Sequence, residues 1–184
     1  MRQIIIGQIL LIICCVFYCF YWYTGYNPNN QVSRSEGIVG TLLMLTAFFG
    51  VAGLLFCFMP SSETSDTQYR QLYIILGGIV AYIILLFVTK YGFQRIVTTE
   101  LFLIVGWTML EFSILNRLSG SSLLIGPKLI AIYLVIILAF VISMILYVAY
   151  YRMEEMKAFY AALVPLITEA ISMAVLVVML LNKK

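Results

Sequence analysis

Glu169 is the residue whose type and position most demand a chemical explanation. It stands near the middle of the apolar run Ala158–Leu181, among residues such as Leu163, Ile167 and Met173. An ionisable side chain at mid-bilayer depth costs about 2.5–3.5 kcal/mol on insertion scales, so it needs protonation, a partner or a wetted cavity. Pro165, one turn earlier, has no amide and so deprives the Ala161 carbonyl of its helical hydrogen bond. Thr168 and Ser172 bring hydroxyls to the same stretch. A kinked helix with a carboxylate, two hydroxyls and a freed carbonyl can bind a proton or a cation. The plainer alternative is a structural kink whose Glu169 is protonated and hydrogen-bonded across a helix bundle.

Two further acids, Glu100 and Glu111, share the run Ile96–Leu115. Their separation is nearly a whole number of helical turns, so the two lie within about 20° on one face and about 16 Å apart along the axis. One carboxyl then falls in each leaflet on a single polar stripe. Against this, Glu100 can snorkel to the interface beside Arg95, and Glu111 can pair with a base near Arg117. With Glu169 there are three acids inside apolar runs, and no lysine or arginine stands deep in any of them. Ion pairing inside the membrane cannot neutralise all three. Protonated carboxyls, a bound cation or a hydrated path must take part.

Other groups read more simply. Gln8 in the first run and Asn116 at the end of the fourth can hydrogen-bond across helices, which is usually packing. Tyr18, Tyr21, Trp22, Tyr23 and Tyr26 fit an interfacial aromatic girdle, with a vestibule for an organic cation as the sharper alternative. Cys14, Cys15, Cys19 and Cys57 lie in apolar runs and read as small buried hydrophobes rather than a disulfide framework. No metal site or cofactor is expected, because no histidine occurs to complete a thiolate set. The same absence removes Ser-His and Cys-His nucleophiles, and no aspartate lies within a run. There is no Gly-rich phosphate loop, and the Ser119–Ser122 stretch reads as a turn. No catalytic residues are assigned, and an enzyme is not expected.

The elements that must position these groups follow from composition. Of 184 residues, 64% are hydrophobic and 10% charged, with mean hydropathy +1.06. A soluble domain carries about a quarter charged residues. So short a chain cannot hide this much apolar surface in its own core, and lipid is the solvent that resolves the contradiction. A net charge of +3 spread over short loops carries no nucleic-acid signature. Six runs approach the ~20 residues that cross a bilayer: Ile4–Trp22, Gly37–Phe58, Leu72–Thr89, Ile96–Leu115, Leu129–Tyr150 and Ala158–Leu181. Their continuity favours helices over barrel strands. The expectation is an all-α polytopic bundle forming one transmembrane domain over residues 1–184, its first run an anchored span rather than a cleaved signal peptide.

Turns are expected at Asn27–Asn30, Pro60–Ser62 and Lys90–Arg95, with an ordered link over Arg152–Lys157. Small residues four apart, Thr46 with Gly50, Gly77 with Ala81, Ala158 with Ala162 and Ala170 with Ala174, suit close helix packing. Hydropathy at an offset of 92 residues admits a 3+3 inverted repeat. Six spans put both termini on one side, and Lys and Arg counts favour the cytoplasm by a single charge, in a cell membrane.

Two functions fit. One is a small transporter or channel, assembled with copies of itself in the lipid bilayer, that moves a proton, cation or small solute past the glutamates. The other is a non-catalytic subunit or accessory protein (assembly, immunity or scaffolding) whose glutamates bond a membrane partner.

Overall fold

The computed structural model describes residues 2–28, 36–58, 65–92, 99–120 and 126–182, with the side chains of residues 65, 66, 99, 100 and 151 outside the described set. The elements are α1 (Arg2–Tyr26), α2 (Glu36–Cys57), α3 (Ser65–Phe87), α4 (Thr99–Gly120), α5 (Pro127–Ala149), α6 (Glu155–Ala161) and α7 (Val164–Leu181). A π turn over Val88–Gly92 ends α3, and a 3₁₀ turn over Tyr150–Arg152 follows α5. Among the described residues there is no strand, and six helical stretches are long and apolar enough to cross a membrane. The protein is therefore an all-α, multi-pass membrane protein. Helices satisfy their own backbone groups, which hydrocarbon cannot do for them.

The boundaries differ from those the apolar runs suggest, most informatively in the third, fourth and sixth spans. The third helix starts at Ser65 rather than Leu72, through polar residues that a hydropathy run excludes. The fourth runs to Gly120, so Asn116, Ser119 and Gly120 are helical where a loop was expected. Ser121, Ser122, Asn29, Asn30, Pro60–Ser62 and Gln94–Arg95 lie outside the described residues. The sixth span is kinked: the backbone stays right-handed helical through Ala162 and Leu163, but α-helical hydrogen bonding lapses there between α6, ending at Ala161, and α7, starting at Val164 with Pro165 in its first turn.

Two compact units account for the chain, one of residues 1–60 and 152–184, the other of residues 61–151. The first holds α1, α2, α6 and α7; the second holds α3, α4 and α5. Neither corresponds to one of the two sequence halves, 1–92 and 93–184, so the division does not follow the 92-residue offset.

In the first unit α1 and α2 pack antiparallel along glycines. A Cβ at Gly7 would lie 2.8 Å from the Cys57 amide nitrogen and 2.9 Å from the Gly53 carbonyl oxygen. One at Gly53 would lie 2.8 Å from Leu11 Cγ. Further along, the Cys14 thiol donates to the Thr46 carbonyl at 3.2 Å, and Phe17 stacks on Phe49. The Thr46–Gly50 pair thus packs against α1, as its spacing suggested, but the tightest approach is at Gly7 and Gly53. Gly77 has open space around it.

In the second unit α4 packs against both α3 and α5. Polar bonds tie one end of α4 to α3, and at the other end Leu101, Ile104 and Val105 pack with Tyr147. Of the apolar stretch of α4, 61% is buried, against 6% for that of α3. The least hydropathic span is therefore the best covered, because polar side chains are tolerated in a bilayer only where protein surrounds them.

Candidate functional site

The break in the sixth span sets the surroundings of Glu169. In an unbroken helix the Leu163 amide would reach the Phe159 carbonyl; here it donates to Tyr160 at 3.1 Å. The Trp22 indole N–H donates to the Phe159 carbonyl instead, at 3.2 Å. Rings of Trp22 and Tyr26 stack 4.6 Å apart, and Trp22 and Tyr23 both pack near Phe159. Part of the aromatic group at the end of α1 is thus a clamp on α6, in addition to any girdle role. Trp22 supplies the donor that the Phe159 carbonyl lacks once the Leu163 amide bonds Tyr160.

Past the break, α7 buries a stripe that begins at Glu169 and continues through Ser172, Met173, Leu176, Val177 and Leu180. This is the i, i+3, i+4, i+7 pattern of a single packed face. Glu169 is 6% exposed, so a carboxyl in mid-span is turned into protein rather than lipid. The two hydroxyls beside it are committed to their own helix. Thr168 Oγ1 donates to the Pro165 carbonyl at 2.8 Å, and Ser172 Oγ to the Glu169 carbonyl at 2.8 Å. With their protons used, they offer only lone pairs to anything nearby.

On α1 the buried residues are Gly7, Gln8, Leu11 and Cys15. Gln8 is fully buried, and neither its Oε1 nor its Nε2 has a hydrogen-bond partner among the described residues. The reading of Gln8 as packing glue therefore lacks the bond it requires.

Glu111, Glu100 and Asn116 belong to the second unit. Glu111 is 1% exposed in the middle of α4. Glu100 is the second residue of α4, and its side chain lies outside the described residues. Asn116 does act as glue: its Nδ2 donates to the Thr67 carbonyl at 3.0 Å and to Gln71 Oε1 at 3.4 Å. Gln71 Nε2 in turn donates to Ser113 Oγ at 2.7 Å. These bonds tether Ser113 and Asn116 of α4 to α3.

Two groups of interest were not singled out from the sequence. Ser143 is fully buried in α5 and its hydroxyl has no partner among the described residues. Other span hydroxyls, such as Thr46, Thr89 and Thr108, donate back to their own helix. The Trp107 indole nitrogen is likewise buried without a partner there. Ser143 is the one serine in the apolar run Leu129–Tyr150, whose other hydroxyls belong to tyrosines, and that isolation is its only signal.

Gln8, Pro165, Thr168, Glu169 and Ser172 thus come together in one unit, Glu111 and Asn116 in the other. Comparison of the chain with protein-family models, curated proteins and solved structures finds no match.

Proposed function

We propose that this protein is a small membrane transporter or channel, not an enzyme, in which Glu169 and Glu111 carry a proton or cation through the helices. The observation that supports it is the near-complete burial of two carboxyls in mid-span, at 6% and 1% exposure. Ionisable groups are rare at this depth, and where they face protein they characteristically mark ion pathways and proton relays. Burial of both on well-packed helices fits that role better than lipid-facing acids would. The proposal places the chain in a cell membrane with both termini cytoplasmic, acting as a homo-oligomer or beside a membrane-protein partner.

The test is flux in proteoliposomes containing the purified protein. Wild type should dissipate an imposed proton or cation gradient, and Glu169→Gln should abolish that flux while remaining folded by circular dichroism. Unchanged flux in Glu169→Gln removes Glu169 from the mechanism. A wild type that moves no ion, and that co-purifies with a second membrane protein until Glu111 or Glu169 is changed, favours the accessory-subunit reading instead.

A further inference from the structure

Gln8, Cys15 and Trp22 are spaced seven apart, nearly two helical turns, so they share one stripe of α1. Trp22 at the end of that stripe bonds α6, and α1 packs against α7, so the stripe faces the sixth span. Gly7 and Leu11, by contrast, meet α2. At 1.5 Å per residue, Gln8 lies about 21 Å below Trp22, while Glu169 lies about 15 Å below Phe159 on the antiparallel helix. Gln8 is therefore about one turn beyond Glu169, toward the termini, and level with Met173. A primary amide buried there must find both an acceptor for its N–H groups and a donor for its oxygen. The described residues supply neither.

We infer that Gln8 holds water between α1 and α7, and that this water links Glu169 to the terminal side of the membrane, making the transported ion a proton. This rests on the transport reading above. The argument for water lies in the two unsatisfied ends of one amide. A metal cation would engage Oε1 and leave the Nε2 hydrogens buried without an acceptor. Water accepts from Nε2 and donates to Oε1, so it completes both. A water held there can pass protons to and from a Glu169 carboxyl without any other polar side chain. Ser172 and Thr168 suit the same role, because their oxygens present acceptor lone pairs to a hydrogen-bonded water.

Two measurements on the full-length protein separate this inference from the reading it extends. The first is X-ray radiolytic footprinting, which oxidises side chains that touch bound water. Met173 is fully buried, so its oxidation in wild type reports internal water, and Gln8→Leu should abolish that oxidation. No oxidation of Met173 in wild type, or oxidation unchanged in Gln8→Leu, overturns the water site. The second is proton flux into pyranine-loaded vesicles under an imposed potential. Gln8→Leu should lower it on the order of a hundredfold, the scale on which a positioned proton-transfer group acts, and Gln8→Asn should restore part of it. Thermal stability of Gln8→Leu should hold or rise, since an apolar side chain of similar size replaces a buried amide and its water at little cost. Wild-type proton flux in Gln8→Leu, or wild-type flux of sodium in place of protons, overturns the assignment. A wild type inert toward every ion overturns the transport reading, while the footprint still decides the water site.

Discussion

At the residue scale, Gly7 and Gln8 are neighbours with opposite duties. Gly7 is required by close approach: besides the Cys57 thiol, a Cβ would meet an amide nitrogen and a carbonyl oxygen of α2, which cannot rotate aside. Gly7→Ala should therefore destabilise the purified protein by about 1–3 kcal/mol, the usual range for overpacking. Gly40 has nothing within 4 Å of a built Cβ, so Gly40→Ala should be neutral or slightly stabilising. Unfolding of both variants in mixed detergent micelles checks this, and equal stabilities would refute the close crossing. Nothing in the sequence distinguishes Gly7 from Gly40, since both are glycines in apolar runs. The carboxyls differ in this respect. An acid amid leucines is conspicuous, so Glu169 and Glu111 were legible as candidates, whereas the direction each faces depends on neighbours far away in the chain. Asn116 shows the same division: its type suggested interhelical bonding, but its partners Thr67 and Gln71 come from α3.

At the element scale, the sixth span shows where the kink at Pro165 falls. A proline inside an apolar run predicts a kink, with the helix continuing around it. The backbone does continue as a right-handed helix through Ala162 and Leu163, but its hydrogen bonding shifts there, so Pro165 falls in the first turn of α7, where its missing amide matters least. Its energetic consequence follows from that placement. A proline in a helix interior is about 3 kcal/mol worse than alanine. In a first turn the difference is small, and Pro165→Ala should change stability by less than about 1 kcal/mol. Chemical denaturation in detergent will tell: a gain near the interior value would mean that the span is a strained continuous helix. The break is stabilised from outside the helix by the Trp22 bond to Phe159 and the ring packing around it. That contact joins residues 137 positions apart, beyond the reach of any local pattern.

At the scale of the whole molecule, coverage of the spans is unequal. The apolar stretch of α3 is 6% buried and carries exposed residues such as Ile79 and Ile83, while Ile114 and Leu118 on α4 are fully buried. In a background lacking the four cysteines, nitroxides at positions 79 and 83 should collide freely with lipid-dissolved oxygen. Nitroxides at 114 and 118 should not. Equal accessibility on the two helices would contradict the packing of α4. Protection of α3 in native membranes, lost on purification, would identify a partner on that helix and strengthen the accessory reading.

The sequence alone determined that this chain is helical and membrane-embedded, because run length and the lack of charge are local properties that a bilayer reads directly. It also exposed the few acids whose desolvation needs an explanation. Only the tertiary structure decided which helices assemble together, that α4 is the covered one, and where hydrogen bonding lapses in the sixth span. Only there did Gln8 emerge as an amide with no partner at either end among the described residues. The physical reason is that lipid makes every apolar face equally acceptable, so hydropathy carries no record of which face meets protein. That choice rests on close packing at residues such as Gly7 and on long-range hydrogen bonds, both of which exist only once the helices have met.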